Sequence, residues 1–145
     1  MRRIYSLLLV FLLLMAGCEP TACGCDPVAP GFSESQLLYT WRLDEISSAD
    51  QVTSRAEAIK DRYTLTFKTQ GTYTQKILAT GDEFQGSWEL INSGHNLKLT
   101  DHKGDIQTYD LQGSWPNGGN QPEQISLNRE NKDKVWEAFI FTRMP

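Results

Sequence analysis

Residues 62–79 read RYTLTFKTQGTYTQKILA, and the fold is predicted from this segment. Tyr63, Leu65 and Phe67 alternate with polar residues, which is the two-residue period of a β-strand with one buried face. A Gln-Gly pair then signals a turn, and a second run rich in Thr, Tyr and Ile follows at once. The segment therefore predicts a β-hairpin whose strands each bury one face.

The same rhythm repeats along the chain on both sides of this hairpin. Segments rich in Thr, Tyr, Phe, Trp, Leu and Ile are separated by short turns rich in Gly, Asn and Asp. Residues 47–61 interrupt the rhythm, and Ala56–Lys60 within them predict a helical turn. The remaining segments predict strands at Leu38–Ile46, Arg62–Thr69, Thr72–Ala79, Glu83–Asn92, Asn96–Asp101, Ile106–Gly113, Gln124–Arg129 and Val135–Arg143.

The short turns also predict how these strands are arranged. Neighbours in sequence that are joined by short turns favour antiparallel pairing in chain order. A row of eight strands leaves two exposed edges unless the first strand pairs with the last. We therefore predict an all-β fold, an eight-stranded antiparallel up-and-down barrel, whose interior has room for side chains or one small ligand.

The first 17 residues predict a secretory signal peptide. Two arginines precede an unbroken apolar run, Leu7–Met15, and two small residues then lead to Cys18. Positive charge, an apolar stretch and a small-residue cleavage site are the three parts of such a signal. The apolar stretch is short for a membrane span, which needs about 20 residues.

The cleavage site carries a more specific pattern. LMAGC at residues 14–18 resembles the lipobox of bacterial lipoproteins, whose cysteine is thioether-linked to diacylglycerol and commonly acylated on its amine. The resemblance implies that Cys18 becomes the first residue of the mature protein and that acyl chains such as palmitate anchor it to a membrane. It implies a location in the bacterial cell envelope, and Glu19 after the cysteine favours the outer membrane.

Residues 18–36 predict a flexible tether, because Pro and Gly are frequent there and large apolar residues are few. The barrel domain is thus predicted over residues 37–145. Cys23 and Cys25 fall in the tether, and three interpretations of them stay open. They are incidental, they form a disulfide that closes a small strained ring, or they supply half of a tetrahedral metal shell.

Charge argues against nucleic acid as a partner. The chain has 14 Lys plus Arg against 18 Asp plus Glu, and loss of Arg2 and Arg3 with the signal peptide leaves 12 against 18, a net charge of −6. The remaining cations are scattered singly among acids, whereas phosphate neutralisation needs them clustered.

The sequence also lacks the patterns of common enzymes. It contains no Gly-x-Ser-x-Gly elbow and no glycine-rich phosphate loop, so we predict neither catalysis nor a cofactor. The neighbouring acids Asp44 and Glu45 should point to opposite faces of a strand. His95 and His102 fall in or beside turns, where solvation is expected, and no metal site is predicted.

Four segments resemble the lipocalin-like barrels found in small lipoproteins of Bacteroidetes-type bacteria. LLYTWRL at residues 37–43 is similar to the opening strand of that family. FKTQGTY at 67–73 and GSWEL at 86–90 are similar to its hairpin and tryptophan strand, and FIFTR at 139–143 to its closing strand.

This resemblance implies roles for individual residues. In lipocalins a tryptophan of the first strand closes one end of the barrel and an arginine of the last strand packs over it, which implies these roles for Trp41 and Arg143. Tyr39 stands where lipocalins usually place glycine. A cation over an indole contributes about 0.5–2 kcal/mol.

Two functions are expected from such a barrel. The first is binding of a small, mainly apolar ligand in the interior. The second is an interaction or inhibitor module with a filled barrel, in which the loop Pro116–Pro122, Trp115 and Trp136 contact another envelope protein. The side chains predicted to line a ligand cavity are Trp41, Tyr63, Leu65, Phe67, Tyr73, Phe84, Trp88, Tyr109, Phe139 and Phe141.

Overall fold

A computed structural model of the protein describes residues 30–49, 51–116 and 119–145. Within these ranges no helix is both long enough and apolar enough to cross a membrane.

The predicted signal peptide and most of the predicted tether lie outside the described residues. The same holds for Cys18, Cys23 and Cys25. Cleavage, lipidation and the state of the two tether cysteines therefore stay predictions.

The described residues form nine antiparallel strands. Eight of them confirm the predicted strands, with ends that differ by no more than two residues. In chain order the nine strands are β1 (Thr40–Ser48), β2 (Gln51–Arg55), β3 (Tyr63–Lys68), β4 (Thr72–Ile77), β5 (Glu83–Ile91), β6 (Asn96–Thr100), β7 (Ile106–Ser114), β8 (Gln124–Glu130) and β9 (Trp136–Arg143).

The sheet closes on itself, as predicted. From β3 onward each strand pairs with the next, and β1 pairs with β9 from Trp41 opposite Arg143 to Ser48 opposite Glu137. All strands except β2 therefore form a closed, eight-stranded, up-and-down barrel. Pairing of β1 with β9 removes the two free edges that an open row of eight strands would have.

Strand β2 was not predicted. It folds back on the second half of β1, pairing Glu45 with Arg55 and Ser48 with Gln51. Its residues are exposed or only partly buried, so the strand carries no alternation of apolar and polar residues from which it could be recognised. The predicted helical turn is confirmed as a single 3₁₀ turn at Ala56–Ala58.

The hairpin of β1 and β2 leaves a seam beside β3. Strand β1 pairs with β3 only from Thr40 to Arg42, and a bulge follows between Leu43 and Glu45. Arg62 spans this seam with a side chain that is only 11% exposed. Its Nε donates to the Leu43 carbonyl at 2.8 Å, and its two terminal nitrogens bond Glu57 and Asp44.

Asp44 is the acid at the centre of this seam. Arg42 donates to both of its oxygens, at 2.9 and 3.1 Å, and Arg62 donates to one of them. Burial raises the pKa of Asp44, but hydrogen bonds from Arg42, Thr142 and Arg62 outweigh burial and lower the pKa from 3.8 to about 2. The carboxylate is therefore ionised at neutral pH.

One end of the barrel is closed by the segment that precedes β1. Ser33 caps a short helix, α1 (Glu34–Leu37), through a reciprocal pair of hydrogen bonds with Gln36. Phe32 and Leu37 on either side are buried. Residues 30–36, which the sequence assigned to the tether, thus pack on the barrel, because their one large apolar side chain, Phe32, joins its core.

A close backbone contact fixes this segment in place. The Phe32 N–H donates to the Gly94 carbonyl at 3.0 Å. Gly94 has φ +85°, and a Cβ there would lie 2.1 Å from the Phe32 carbonyl oxygen. Only glycine fits, so this approach depends on a turn residue that has no side chain.

The barrel-closing pair differs from the lipocalin expectation. Trp41 is fully buried, and its indole N–H donates to the Leu37 carbonyl at 2.9 Å. Arg143 lies over the ring of Tyr39, at 5.0 Å from its centroid, and Tyr39 in turn meets Trp41 edge-on. The guanidinium of Arg143 thus lies over Tyr39, while Trp41 and Arg143 are directly opposite each other on β1 and β9, and their predicted role in closing the barrel stays a prediction.

Candidate functional site

The interior is filled at the end covered by α1 and hollow at the other, which we call the open end. The end covered by α1 is filled by side chains that are at most 2% exposed, namely Trp41, Leu43, Leu97 and Phe141. A pocket of about 140 Å³ remains at the open end. A cavity of about 150 Å³ holds a molecule the size of benzene, so this open-end pocket suits one compact ligand.

Apolar side chains form part of the pocket wall. They come from strands on opposite sides of the barrel and alternate with outward-facing residues along each strand. Leu65 lies on β3, Leu99 on β6, Leu127 on β8 and Phe139 on β9.

Three tyrosines complete the aromatic part of the wall, namely Tyr63, Tyr73 and Tyr109. Among the described residues, neither the Tyr63 nor the Tyr73 hydroxyl has a hydrogen-bond partner, whereas the Tyr109 hydroxyl donates to Gln107. Burial raises the pKa of Tyr63 and of Tyr73, and neighbouring Tyr109 and Asp101 respectively add to that rise. Both hydroxyls stay protonated and are available to a ligand.

The position of Tyr73 depends on a glycine of the next strand. A Cβ on Gly86 would lie 2.5 Å from the Tyr73 ring and 2.4 Å from the Thr100 carbonyl oxygen. The ring therefore crosses β5 where that strand has no side chain, and it approaches Asp101 beyond β6. In the sequence, this contact between Tyr73 and β5 corresponds to the glycine of the Gly-Ser-Trp pattern in that strand.

Polar side chains form the outer part of the pocket, and they are Gln75, Asp101, Asp105 and Gln107. Asp101 is held by its own turn, because one carboxylate oxygen accepts the N–H groups of Lys103 at 2.8 Å and Asp105 at 2.9 Å. The Asp105 N–H is the largest cause that lowers the pKa of Asp101. The acid therefore carries its charge at the entrance.

A second polar group supports the wall from β8. The Arg129 guanidinium pairs with Glu137 through two contacts of 3.2 Å and also donates to Gln107. It lies 5.1 Å from the centroid of the Phe139 ring and 5.7 Å from that of Tyr109. These contacts fix both rings, and Glu137 balances the positive charge.

Five of the ten predicted ligand residues line the pocket, and five do not. Tyr63, Leu65, Tyr73, Tyr109 and Phe139 are brought together there. Four of the others are buried in the packed core or at its edge, and Phe84 lies 37% exposed at the open end, where it stacks on His102 at 4.8 Å. Those outside the pocket are Trp41, Phe67, Phe84, Trp88 and Phe141.

Sequence reasoning missed the polar members of the site. Three of the four continue an inward-facing row by two residues toward the open end: Gln75 follows Tyr73, Asp101 follows Leu99, and Gln107 precedes Tyr109. The two-residue period that identified the apolar rows therefore also points to these positions. The sequence alone does not include them in the site, because a polar residue in a strand is expected on the outer, solvated face.

The two exposed tryptophans are not neighbours. Trp115 follows β7 at the closed end and packs on Phe32 at 5.3 Å, whereas Trp136 begins β9 at the open end. A strand of this length separates them by about 20 Å. The two side chains therefore lie at opposite ends of the barrel, and their contact with another envelope protein stays a prediction.

Comparison of the chain with protein-family models, with curated proteins and with solved structures found no match. The resemblance to lipocalin-like lipoproteins stays a prediction.

Proposed function

We propose that the protein is a lipid-anchored envelope protein that reversibly binds a small, mainly apolar molecule at the open end of its barrel and catalyses no reaction. The observation that supports this most directly is the pocket of about 140 Å³ whose wall includes two tyrosine hydroxyls without a partner among the described residues. Anchoring through Cys18, in the outer membrane, is the part of the proposal that rests on sequence alone.

The wall favours a ligand with an apolar body and a polar end. Apolar side chains supply part of the wall, and burying apolar surface against them is favourable by about 25 cal/mol per Å². These side chains are Leu65, Leu99, Leu127 and Phe139. The Tyr63 and Tyr73 hydroxyls have no protein partner among the described residues, so a ligand with a polar end can form a hydrogen bond with either of them. Apart from these hydroxyls, selectivity is left to shape and to charge at the entrance.

The pocket size also bounds affinity. A ligand of about seven non-hydrogen atoms gaining roughly 0.6–1 kcal/mol per atom binds with about 4–7 kcal/mol, which corresponds to a Kd between about 1 mM and 10 µM. Binding of this strength is measurable by calorimetry and compatible with rapid release.

The proposal is tested by calorimetry on the full-length protein in a maltoside detergent, with three compounds of similar shape. These are 3,3-dimethylbutan-1-ol, choline and 3,3-dimethylbutyrate, which are neutral, cationic and anionic respectively. We expect saturable binding of at least one of them, because all three fit the pocket by size.

Two variants locate the binding site. Leu99→Trp places an indole in the pocket and should weaken binding at least tenfold, whereas Leu78→Trp, at an exposed position of the same end, should change it by less than twofold. Leu127→Phe is a smaller filling should Leu99→Trp fail to fold. If none of the three compounds binds, or if binding ignores the pocket variants, the proposal is wrong.

The alternative, a module that binds another envelope protein, is favoured by a separate observation. Of the six large apolar side chains that are exposed among the described residues, five lie at the open end and only Trp115 does not. Cross-linking in intact cells from a residue beside this rim should then capture one constant neighbour. The rim consists of Val52, Leu78, Phe84, Ile106 and Trp136.

A further inference from the structure

We infer that the polar end of the ligand is a compact organic cation, an alkylammonium group, received by the tyrosine rings and the entrance carboxylates of the open-end pocket. This inference rests on the proposed function and specifies its ligand class. It depends on three features of the pocket: its charges, its rings and its size.

The charges at the pocket have one sign. Asp101 and Asp105 are among the residues that line it, and no Lys or Arg is among them. Two cations act near the pocket: Arg129 is paired with Glu137, and the charge of Lys103 helps to lower the pKa of Asp101. The charged residues of the lining itself are carboxylates, so the lining attracts a ligand cation and repels a ligand anion.

The turn that follows Asp101 fixes the position and the charge of its carboxylate. One carboxylate oxygen is occupied by two backbone N–H groups, and among the described residues the other oxygen has no partner. The pKa of Asp101 is lowered, chiefly by the Asp105 N–H, so the group stays ionised well below neutral pH. It keeps its charge at the side of the pocket that Tyr73 approaches.

The rings supply the second element of cation recognition. Aromatic faces attract ammonium and guanidinium groups, most strongly where water is excluded. Tyr109 and Phe139 already hold the Arg129 guanidinium within 6 Å, which shows that rings of this wall accept a cation. Tyr63 and Tyr73 hold none, and their hydroxyl oxygens can each accept a hydrogen bond from an ammonium N–H.

Size favours a free organic ammonium ion over a larger, phosphate-bearing headgroup. A trimethylammonium or short alkylammonium group fits within about 140 Å³, whereas an attached phosphate would face Asp101 and Asp105 at the entrance. We therefore commit to a free organic ammonium ion, one that carries no phosphate, and treat the headgroup of a choline lipid as the competing source.

The calorimetric comparison is read as a ratio of affinities. Choline and 3,3-dimethylbutan-1-ol share their shape and differ by the charge, so the inference predicts that choline binds at least about tenfold more tightly. Added salt should weaken choline binding and leave the alcohol unaffected. Glycerophosphocholine should bind at least tenfold more weakly than choline.

A matched pair of variants assigns the charge effect. Asp101→Asn keeps an oxygen for both backbone N–H groups and removes only the charge, so it should weaken choline binding about three- to tenfold without changing binding of the alcohol. Asp133→Asn removes the same charge from an exposed loop at the same end and should leave both affinities unchanged.

The outcomes separate the two proposals. Equal or tighter binding of the alcohol or of the butyrate overturns the cation inference, although the pocket remains a ligand site. Glycerophosphocholine that binds as tightly as choline overturns the commitment to a free ammonium ion that carries no phosphate. Absence of binding by every compound overturns the proposed function, and the inference fails with it.

Discussion

Arg62 should be the residue whose charged group contributes most to closing the seam beside β1. We consider Arg62→Met, which keeps the length of the apolar stem and removes the donors. A hydrogen bond from a charged donor to the largely enclosed Leu43 carbonyl contributes about 1.5–3 kcal/mol. The pair with Glu57, which is 93% exposed, adds at most about 1 kcal/mol.

We therefore expect Arg62→Met to lower the free energy of unfolding by about 2–3 kcal/mol. The matched control is Arg42→Met, because the described contacts of the Arg42 side chain are with Asp44 alone, and it is 36% exposed. Arg42→Met should cost less than about 1 kcal/mol.

The assay is urea unfolding at pH 7, followed by circular dichroism, for wild type and both variants. Combining each variant with Asp44→Asn gives a double-mutant cycle that isolates the contribution of the acid. A loss below about 0.5 kcal/mol for Arg62→Met, or a loss no larger than that of Arg42→Met, would refute the assignment of the seam to Arg62.

Three further predictions follow from single contacts. The pKa of Asp44 is about 2 in the folded protein and 3.8 ordinarily. The ionised group therefore contributes about 1 kcal/mol to the free energy of unfolding above pH 4, and this contribution is lost as the pH falls toward 2. Urea unfolding at several pH values should show a smaller loss of stability over that interval for Asp44→Asn than for wild type. Trp41→Phe removes the hydrogen bond to Leu37 and leaves a small cavity, so unfolding measurements should give a loss of about 2–3 kcal/mol, and a change below 1 kcal/mol would contradict the packing described. Gly86→Ala should displace the Tyr73 ring, lower stability by about 1–3 kcal/mol and weaken ligand binding in calorimetry, and an unchanged affinity would show that Tyr73 does not shape the pocket.

The strands of the barrel could be predicted because each carries its own signal. The alternation of Tyr63, Leu65 and Phe67 with polar residues fixes both the strand and its buried face. Short turns then limit the pairing to neighbours, so closure follows from the count of strands. Strand β2 (Gln51–Arg55) could not be predicted, because it lies outside the barrel wall and has no row of buried apolar side chains.

The pocket was harder to predict because it depends on contacts between distant strands. Whether an aromatic residue fills the barrel or lines a hollow is decided by its neighbours across the interior, as the different surroundings of Phe141 and Phe139 show. The close approach of Tyr73 to Gly86 and the packing of Phe32 at the closed end are likewise tertiary contacts without a local pattern.

The most direct test of a ligand pocket at the open end is a methyl-resolved NMR titration with the tightest-binding of the three compounds. The account predicts that methyl signals of Leu65, Leu99 and Leu127 shift together and saturate, while those of Leu43 and Leu97 in the filled end stay unchanged. Shifts confined to the exposed Leu78, or the absence of any saturable shift, would contradict it.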